Sequence, residues 1–347
     1  MKIKFFLNMF ILCFLFMGYF NKVLAEHYSI QVKSFPMNEK SGAFQFYNDL
    51  KDAGYFVYMH KTKIERNWWI RIKIGYFNSK DKADLFGKEI KSKSSLDYWV
   101  NPANILIDRS NANYKILTTP SGIWLEKNSS FEEVYSFLPQ MYHAGILLET
   151  KAIASSVSDE IVFYFQKKLI KVNLKSKESV ILKEAQIIEE LHRSSPKWSY
   201  DGRYIAYMDS YTWEVPTKLQ IMRNDGTHDT CIVQDISRQN KVKDFSWHPS
   251  KNELFYIYGY TYGSMDLGGD LYVISIDSLK SRMIVTTENR NRFLLEKINI
   301  VKNGINLTIM QLKDGAPLKQ RIYKKIPLPD RSTLIKLKEQ DLQKGAR

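Results

Sequence analysis

A strongly alternating stretch at residues 68–77 limits what the N-terminal part of this chain can fold into. Its sequence is WWIRIKIGYF, in which isoleucines at every second position alternate with Trp69, Arg71 and Lys73. A two-residue period over this length predicts a β-strand whose successive side chains point to opposite faces. The face with Trp68 and the isoleucines is expected to be buried, and the other to expose an indole beside two cations. Such an indole is either a binding platform or a ring packed on the stems of its basic neighbours.

The residues around this strand predict a small unit with six elements. Helical spacing of apolar residues and a glycine after the first helix mark its two helices, and alternation marks its strands. The elements are a strand at 28–35, a helix at 39–53, strands at 55–60 and 68–77, a helix at 80–90 and a strand at 98–100. This order predicts an α+β ferredoxin-like (βαββαβ) domain, in which both helices cover one face of a four-stranded antiparallel sheet. The other face is then open.

Residues 27–100 resemble the SPOR domain, a module that binds septal peptidoglycan. The resemblance rests on the first strand with Gln31 and Phe35, on LKDAGY at the end of the first helix, and on WIRIKIGYF followed by SKDKADLFGKEI. It covers nearly all of the predicted small unit. It implies that this unit, assigned to residues 26–100, binds glycan strands without stem peptides, and that the open sheet face is the binding surface.

The resemblance also implies which side chains contact the glycan. Aromatic rings stack on the apolar faces of sugars, while amides and guanidinium groups pair with their hydroxyl and N-acetyl groups. Lysine replaces the glycine that the family usually has at position 33, and it adds a cation to the groove. A domain with an incidental basic face, an RNA-binding sheet and a protein–protein module are the alternatives. The expected glycan-binding residues are Gln31, Lys33, Trp69, Arg71 and Lys73.

The first 25 residues predict a secretory signal peptide. Lys2 and Lys4 precede an apolar run at 5–20, and small residues at 23–25 form a cleavage site. An uncleaved membrane anchor is the alternative, but the run is shorter than the roughly 20 apolar residues that span a bilayer. Export argues against a nucleic-acid partner and predicts a periplasmic protein associated with peptidoglycan, without stable membrane insertion after cleavage.

Composition adds two constraints. The chain has 347 residues and a formal charge of +14, which falls to +11 once the three lysines of the signal segment are removed. A basic surface of this kind favours polyanionic partners. Cleavage also removes one of the two cysteines, so the mature chain can form no intramolecular disulfide, and Cys231 is expected in a buried strand.

A repeated pattern follows residues 101–113, which are predicted to be a linker together with a first edge strand at the apolar patch 105–107. The clearest copies are PKWSYDGRYIAY at 196–207 and FSWHPSKNELFY at 245–256, each with a turn between two strands and two further strands after it. The second strands of five copies begin 38 to 51 residues apart, which suits four-stranded propeller blades. An all-β sandwich is the alternative architecture.

The PKWS-DG-IAY element resembles the repeat of TolB-type periplasmic propellers. This resemblance implies a β-propeller of about five to six blades at residues 114–329, with a degenerate sixth blade within Ser129–Ala144. Propellers of this type are mostly binding platforms, so an unidentified envelope protein is the expected partner. The charged tail at 330–347 is expected to be a solvated helix or disordered.

The sequence contains no strong catalytic motif. It has no Gly-x-Ser-x-Gly, no phosphate-binding glycine loop and no His-x-x-x-His, and no cofactor or metal is predicted. His248 is interpreted as structural, and Asp266–Asp270 as a long hairpin rather than a calcium loop. The prediction is a non-enzymatic, peptidoglycan-binding protein of cell division or envelope integrity. The alternative is a peptidoglycan-remodelling enzyme with a catalytic propeller that the small domain delivers to glycan.

Overall fold

The computed structural model divides the chain into two compact units. The first comprises residues 27–105 with short pieces at 119–122 and 136–138, and the second comprises the other described residues. Within the residues that the structure describes, no helix is long and apolar enough to cross a membrane. The predicted signal peptide and the start of the 266–270 hairpin lie outside the described residues. The structure describes residues 27–109, 111–138, 151–166, 168–184, 195–209, 217–234, 239–260, 268–313, 315–329 and 333–344.

The first unit is an antiparallel sheet, the N-terminal sheet, with two helices. Its strands are arranged in the order β2-β3-β1-β4. This is the element order that the sequence predicts, and the alternating stretch forms the longest strand. The elements are β1 (Tyr28–Pro36), α1 (Lys40–Asp52), β2 (Val57–Ile64), β3 (Asn67–Phe77), α2 (Lys80–Ser94) and β4 (Trp99–Pro102).

The core of the first unit lies between the sheet and the helices. The isoleucines of β3 are at most 1% exposed, and Tyr47 of α1 and Ile90 of α2 are also buried. Burying each such side chain contributes about 1.5–3 kcal/mol. The hydroxyl of Ser79 accepts a hydrogen bond from the backbone N–H of Lys82 (3.3 Å), which caps the start of α2. Gly54 follows α1 with a φ of 85°, a conformation that glycine adopts without strain.

The strands after β4 form five further sheets within the described residues. Sheet 1 contains β5 (Leu106–Asp108), β6 (Lys115–Thr119), β7 (Gly122–Lys127) and β8 (Ser130–Ser136). Sheet 2 contains β9 (Ile153–Ala154), β10 (Glu160–Phe165), β11 (Lys168–Asn173) and β12 (Ser179–Glu184). Sheet 3 contains β13 (Lys197–Trp198), β14 (Tyr204–Asp209), β15 (Lys218–Arg223) and β16 (Thr230–Val233).

The last two sheets depart from this pattern of four consecutive strands. Sheet 4 contains β17 (Asn240–Trp247), β18 (Glu253–Tyr260), β19 (Asp270–Ser275), β20 (Ser281–Thr287) and, from the end of the chain, β24 (Ile335–Leu337). Sheet 5 contains β21 (Phe293–Val301), β22 (Gly304–Lys313) and β23 (Ala316–Ile326). A short helix, α3 (Glu339–Lys344), follows β24.

The tryptophans of the repeats connect successive sheets. The indole N–H of Trp198 donates to the carbonyl of Ile153 in the preceding sheet (3.1 Å), and that of Trp247 donates to the carbonyl of Lys197 (2.9 Å). These bonds join the first strands of sheets 2, 3 and 4. The first strands of all five sheets also line one cavity of about 870 Å³. The second unit is therefore propeller-like, with its sheets arranged around a shared centre.

Two sequence-based expectations about this unit, a sixth blade and a buried Cys231, are wrong. Residues 130–136, assigned to a degenerate sixth blade, form β8 of sheet 1, and residues 139–144 of that prediction lie outside the described residues. The first edge strand expected within 101–113, by contrast, is present as β5. Cys231 is exposed in β16 rather than buried, because β16 is the edge strand of its sheet.

The charged C-terminal tail is also more ordered than its composition predicts. Strand β24 pairs in parallel with β20, from Val285 with Ile335 to Thr287 with Leu337. Leu337 is 4% exposed, and Leu342 of α3 is completely buried. Both leucines pack in the same apolar cluster as the cores of sheets 4 and 5. The expectation of a solvated or disordered tail is therefore wrong for residues 335–344.

Candidate functional site

The face of the N-terminal sheet opposite the helices, called the open face here, carries three rows of cross-strand neighbours. The strand register brings them together from β2, β3, β1 and β4. Because directly paired residues in an antiparallel sheet share a face, each row is a line of adjacent side chains. Row 1 is Tyr58, Lys73, Gln31 and Trp99; row 2 is His60, Arg71 and Ser34; row 3 is Thr62, Trp69 and Pro36.

Lys33 is not on the open face, which corrects the placement expected from simple alternation. The register between β1 and β3 shifts between Gln31 and Lys33, so that Lys33 pairs with the buried Ile72. Its ammonium lies 4.9 Å from the ring centres of Phe35 and of Phe46, a residue of α1. The β-bulge therefore turns Lys33 toward the helix side of the sheet.

The same bulge brings Ser34 onto the open face. Ser34 pairs with Arg71, and its hydroxyl accepts a hydrogen bond from the side-chain amide of Gln31 (3.1 Å). Gln31 is thereby held in a defined orientation, with its amide nitrogen bound and its Oε1 left without a partner among the described residues. Sequence reasoning missed Ser34 because a bulge has no signature in the alternation of β1.

Lys73 lies on the open face, as expected, but it is buried. Its ammonium donates to the carbonyl of Pro102 (3.1 Å) and to Oδ1 of Asn104 (2.7 Å), and the backbone N–H of Asn104 donates to the hydroxyl of Tyr58 (3.3 Å). Burial, together with the nearby charge of Arg71, lowers the pKa of Lys73 to about 8. The segment at 102–104 thus covers this end of the open face, and Lys73 holds it there.

Three buried polar atoms at the centre of the open face have no hydrogen-bond partner in the described structure. They are Oε1 of Gln31, Nδ1 of His60 and Nε of Arg71. His60 and Arg71 are direct cross-strand partners, and Gln31 lies one row away. Buried polar groups are nearly always paired, and leaving one unpaired costs about 1–3 kcal/mol. Their concentration at one place indicates a surface prepared for an external hydrogen-bonding ligand.

His60 supplies a neutral imidazole to this centre. Burial lowers its pKa to about 4, and the charges of Lys73 and Arg71 act in the same direction. At neutral pH the imidazole therefore carries no charge and offers one donor and one acceptor. Among Gln31, His60 and Arg71, the residues at the centre of the open face, Arg71 therefore supplies the positive charge. The alternation of β2 places Tyr58, His60 and Thr62 on one face, and this was the available signal for His60.

Two indoles flank the polar centre. Trp69 is partly buried in row 3, and Trp99 of β4 is 57% exposed at the sheet edge, in register with Gln31. The sequence analysis placed Trp99 in a strand but did not connect it with the site. Trp68, expected to be buried on the helix side, is 41% exposed instead, and the Lys61 ammonium lies 4.7 Å from its ring centre.

The open face therefore combines aromatic surface with directed polar groups and the half-buried guanidinium of Arg71. Indoles offer flat apolar surfaces, while an amide oxygen, an imidazole and a guanidinium group can bond to hydroxyl, amide and carboxylate groups. This chemistry suits recognition of a sugar chain. Within the described residues, no group of three or more His, Cys, Asp or Glu side chains is arranged to hold a metal ion.

Solved structures similar to this chain include a putative conserved lipoprotein from Clostridium novyi, with 17% identity and a TM-score of 0.35, covering 39% of this chain and 87% of that chain. A nidogen/laminin complex matches with 8% identity and a TM-score of 0.41, covering 68% and 85%. The β-propeller domain of a Pyrococcus furiosus protease matches with 10% identity and a TM-score of 0.32, covering 66% and 55%.

The small domain has a clear match at the level of sequence families. No curated protein sequence matches the chain significantly. The family model of the SPOR domain, in contrast, matches residues 24–100. This range contains both helices and all four strands of the first unit, apart from the last two residues of β4. Residues 24–100 of this chain are a SPOR domain.

Proposed function

We propose that this chain is a periplasmic peptidoglycan-binding protein whose SPOR domain binds denuded septal glycan strands through the open face. The observation that carries the proposal is the group of unpartnered buried atoms on Gln31, His60 and Arg71. A glycan strand supplies the hydroxyl, N-acetyl and carboxylate groups that these atoms lack. The flanking indoles of Trp69 and Trp99 supply the apolar contact that the faces of sugar rings need.

In this proposal the direct contacts differ from those expected from sequence. Gln31, Trp69 and Arg71 keep the glycan-binding role, and His60 and Trp99 join them. Lys73 acts by holding the segment at 102–104 rather than by contacting sugar, because its ammonium is bound to two protein acceptors. Lys33 has no direct contact, because its ammonium lies against two phenylalanine rings on the helix side.

The propeller-like unit is proposed to act as a binding platform for an envelope protein, in cell division or envelope integrity. The SPOR domain would hold this platform at the wall. We propose no catalytic activity for either unit. If the mature chain released soluble muropeptides from purified sacculi, the proposal of a binding protein would be replaced by that of a remodelling enzyme.

The test is co-sedimentation of the mature chain with purified sacculi at physiological salt. The double variant Trp69→Ala/Arg71→Ala removes a ring and a charged hydrogen-bond donor from the open face. A charged hydrogen bond contributes about 1.5–3 kcal/mol, so we expect at least about a tenfold loss of affinity. Trp99→Ala is a second variant at an exposed position, and it should weaken binding without disturbing the fold.

The matched control is Trp68→Ala/Lys63→Ala. It removes the same kinds of side chain, a tryptophan and a cation, from exposed positions on the helix side. We expect its affinity for sacculi to stay within about twofold of the unmodified chain. Equal losses for the two double variants would mean that binding follows net charge, and undiminished binding of Trp69→Ala/Arg71→Ala would eliminate the open face as the site.

A further inference from the structure

A second cavity of the propeller-like unit, called the tyrosine pocket here, is lined by three tyrosines of sheet 4. They are Tyr258, Tyr260 and Tyr272. The pocket lies where the end of β18 and the start of β19 meet the turn between β20 and β21, which contributes Arg290 and Asn291. Its volume of about 690 Å³ lies within the roughly 300–1,000 Å³ of ligand pockets. The pocket is therefore large enough for an organic ligand.

Glycines line the pocket where β18 and β21 meet the residues before β19. A Cβ atom at Gly269 would lie 2.2 Å from the carbonyl oxygen of Tyr258, and one at Gly268 would lie 2.0 Å from that of Leu295. Only glycine permits backbones to approach so closely. Gly269 also exchanges two backbone hydrogen bonds with Leu295 of sheet 5 (2.9 and 3.1 Å). Both glycines line the pocket and contribute no side chain to its volume.

The tyrosine rings are held in place by packing within sheet 4. The rings of Tyr258 and Tyr272 meet edge to face, with centroids 5.9 Å apart and an interplanar angle of 86°. The buried ring of Tyr256 stacks on Tyr272 (5.5 Å) and meets the edge of Tyr258 (6.3 Å). Tyr260, two residues further along β18, is 53% exposed. The pocket therefore presents an accessible aromatic ring beside two rings whose positions are fixed before a ligand binds.

A buried carboxylate fixes the orientation of Arg290. Asp270 is 8% exposed, accepts a hydrogen bond from the hydroxyl of Thr286 (2.6 Å), and pairs with Nη2 of Arg290 (2.9 Å). Nε of Arg290 donates to the hydroxyl of Thr286 (3.2 Å). These contacts use Nε and Nη2, whereas Nη1 takes part in none of them. The Arg290 side chain is 55% exposed, so Nη1 can donate two hydrogen bonds to a ligand.

The pocket combines aromatic and polar groups without net charge. Among the described residues that line it, Arg290 and Asp270 are the ones charged at neutral pH, and they form one ion pair. A neutral pocket does not favour polyanions, and a purely apolar ligand would cover Arg290 and the exposed amide of Asn291 without pairing with them. Hydroxyl and N-acetyl groups can bond to these polar groups, while the apolar faces of sugar rings can stack on tyrosine. This combination suits an N-acetylated sugar chain.

We propose that the tyrosine pocket binds a short stretch of N-acetylated glycan. The ring of Tyr260 packs against the face of a sugar, and Arg290 and Asn291 bond to its hydroxyl and N-acetyl groups. This inference goes beyond the proposed function, because it gives the propeller-like unit a glycan site of its own. It involves no residue of the open face of the SPOR domain, so the two sites can be tested separately.

The test is isothermal titration calorimetry with tetra-N-acetylchitotetraose. The full mature chain carries Trp69→Ala/Arg71→Ala in this experiment, which removes the contribution of the open face. We expect saturable binding with a Kd below about 1 mM. Adding Tyr260→Ala/Asn291→Ala should weaken binding about tenfold or more, because it removes a stacking ring and a hydrogen-bonding amide.

The matched control adds Tyr323→Ala/Asn306→Ala to the same chain. It removes the same two kinds of side chain from exposed positions outside the pocket. Affinity for the tetrasaccharide should stay within about twofold. Equal melting temperatures of the two modified chains would exclude loss of fold as the cause of any difference in binding.

Three outcomes would overturn the inference. These are a lack of saturation by the tetrasaccharide, equal losses in the pocket variant and its control, and equally tight binding of cellotetraose, which lacks N-acetyl groups. Tetrasaccharide binding by the unmodified chain that disappears in Trp69→Ala/Arg71→Ala would place the sugar on the open face, which overturns this inference and supports the proposed function. Normal tetrasaccharide binding by Trp69→Ala/Arg71→Ala, together with undiminished sedimentation of that variant with sacculi, would eliminate the open face and support the pocket.

Discussion

The buried ammonium of Lys73 predicts a specific dependence of stability on pH. Its pKa falls from 10.5 to about 8 in the folded protein, because burial removes water from the charged form and Arg71 repels it. Between these two values the unfolded chain binds more protons at this position than the folded chain. The free energy of unfolding therefore rises with pH across this interval and is lowest, as far as this group is concerned, below about pH 8.

The size of the effect follows from the difference in pKa. A difference of about 2.5 pKa units, at about 1.4 kcal/mol each, corresponds to roughly 3 kcal/mol between pH 8 and 10.5. The upper end of this interval adjoins the titration of Tyr58, whose pKa is raised to about 12 by burial. Above about pH 10 the unfolded chain loses the Tyr58 proton before the folded chain does, so the free energy of unfolding falls with pH. The clean window is therefore pH 8 to 10, where we expect a rise of about 2 kcal/mol from Lys73.

The assay is urea unfolding of the mature chain at intervals from pH 7 to 10, followed by intrinsic tryptophan fluorescence and compared between the unmodified chain and its variants. Lys73→Met should abolish the rise between pH 8 and 10. The control is Lys33→Met, which removes an exposed lysine from the same sheet and should leave the rise unchanged. A Lys73→Met variant that keeps the full rise would refute the assignment of this pH dependence to the ammonium bound to Pro102 and Asn104.

Two further predictions concern stability. His60, whose pKa falls from 6.5 to about 4 on folding, should cost the native state up to roughly 3 kcal/mol as pH drops from 6.5 to 4, because the unfolded chain then takes up a proton that the folded chain refuses. His60→Gln should reduce the slope of the free energy of unfolding against pH over this range. An unchanged slope would contradict the assignment of this pH dependence to His60. In the C-terminal tail, Leu337→Ala should lower the free energy of unfolding by about 2–5 kcal/mol, since Leu337 is buried. Leu334→Ala, at a residue 54% exposed, should change it by less than about 0.5 kcal/mol, and equal denaturation midpoints for the two variants would mean that β24 does not stabilise sheet 4.

Local patterns in the sequence were sufficient to predict most elements of the SPOR domain. The alternation of β3 correctly indicated which isoleucines are buried, and the spacing of apolar residues located both helices. The repeats likewise located strands in sheets 3 and 4, and their tryptophans turned out to hydrogen-bond to the preceding sheet. These features depend on residues close together in the chain, where period and composition are directly visible.

The candidate site was predicted less completely because its geometry depends on pairing between strands. Alternation alone placed Lys33 beside Gln31 on the open face, but a bulge in β1 reverses its direction and substitutes Ser34. His60 and Trp99 belong to the site only because β2 and β4 pair in particular registers with β3 and β1. Register is a property of two strands together, so one strand read by itself does not contain it.

By itself, the sequence determined the type and order of the elements in the small domain, the SPOR resemblance and the presence of a repeated all-β region. The tertiary structure alone decided that residues 102–104 cover Lys73, that the tail completes sheet 4, and that the first strands of five sheets line one cavity. The physical reason is distance along the chain. Periodicity reports the surroundings of a residue within a few positions, whereas burial, neutralisation of charge and orphaned polar atoms result from partners tens of residues away.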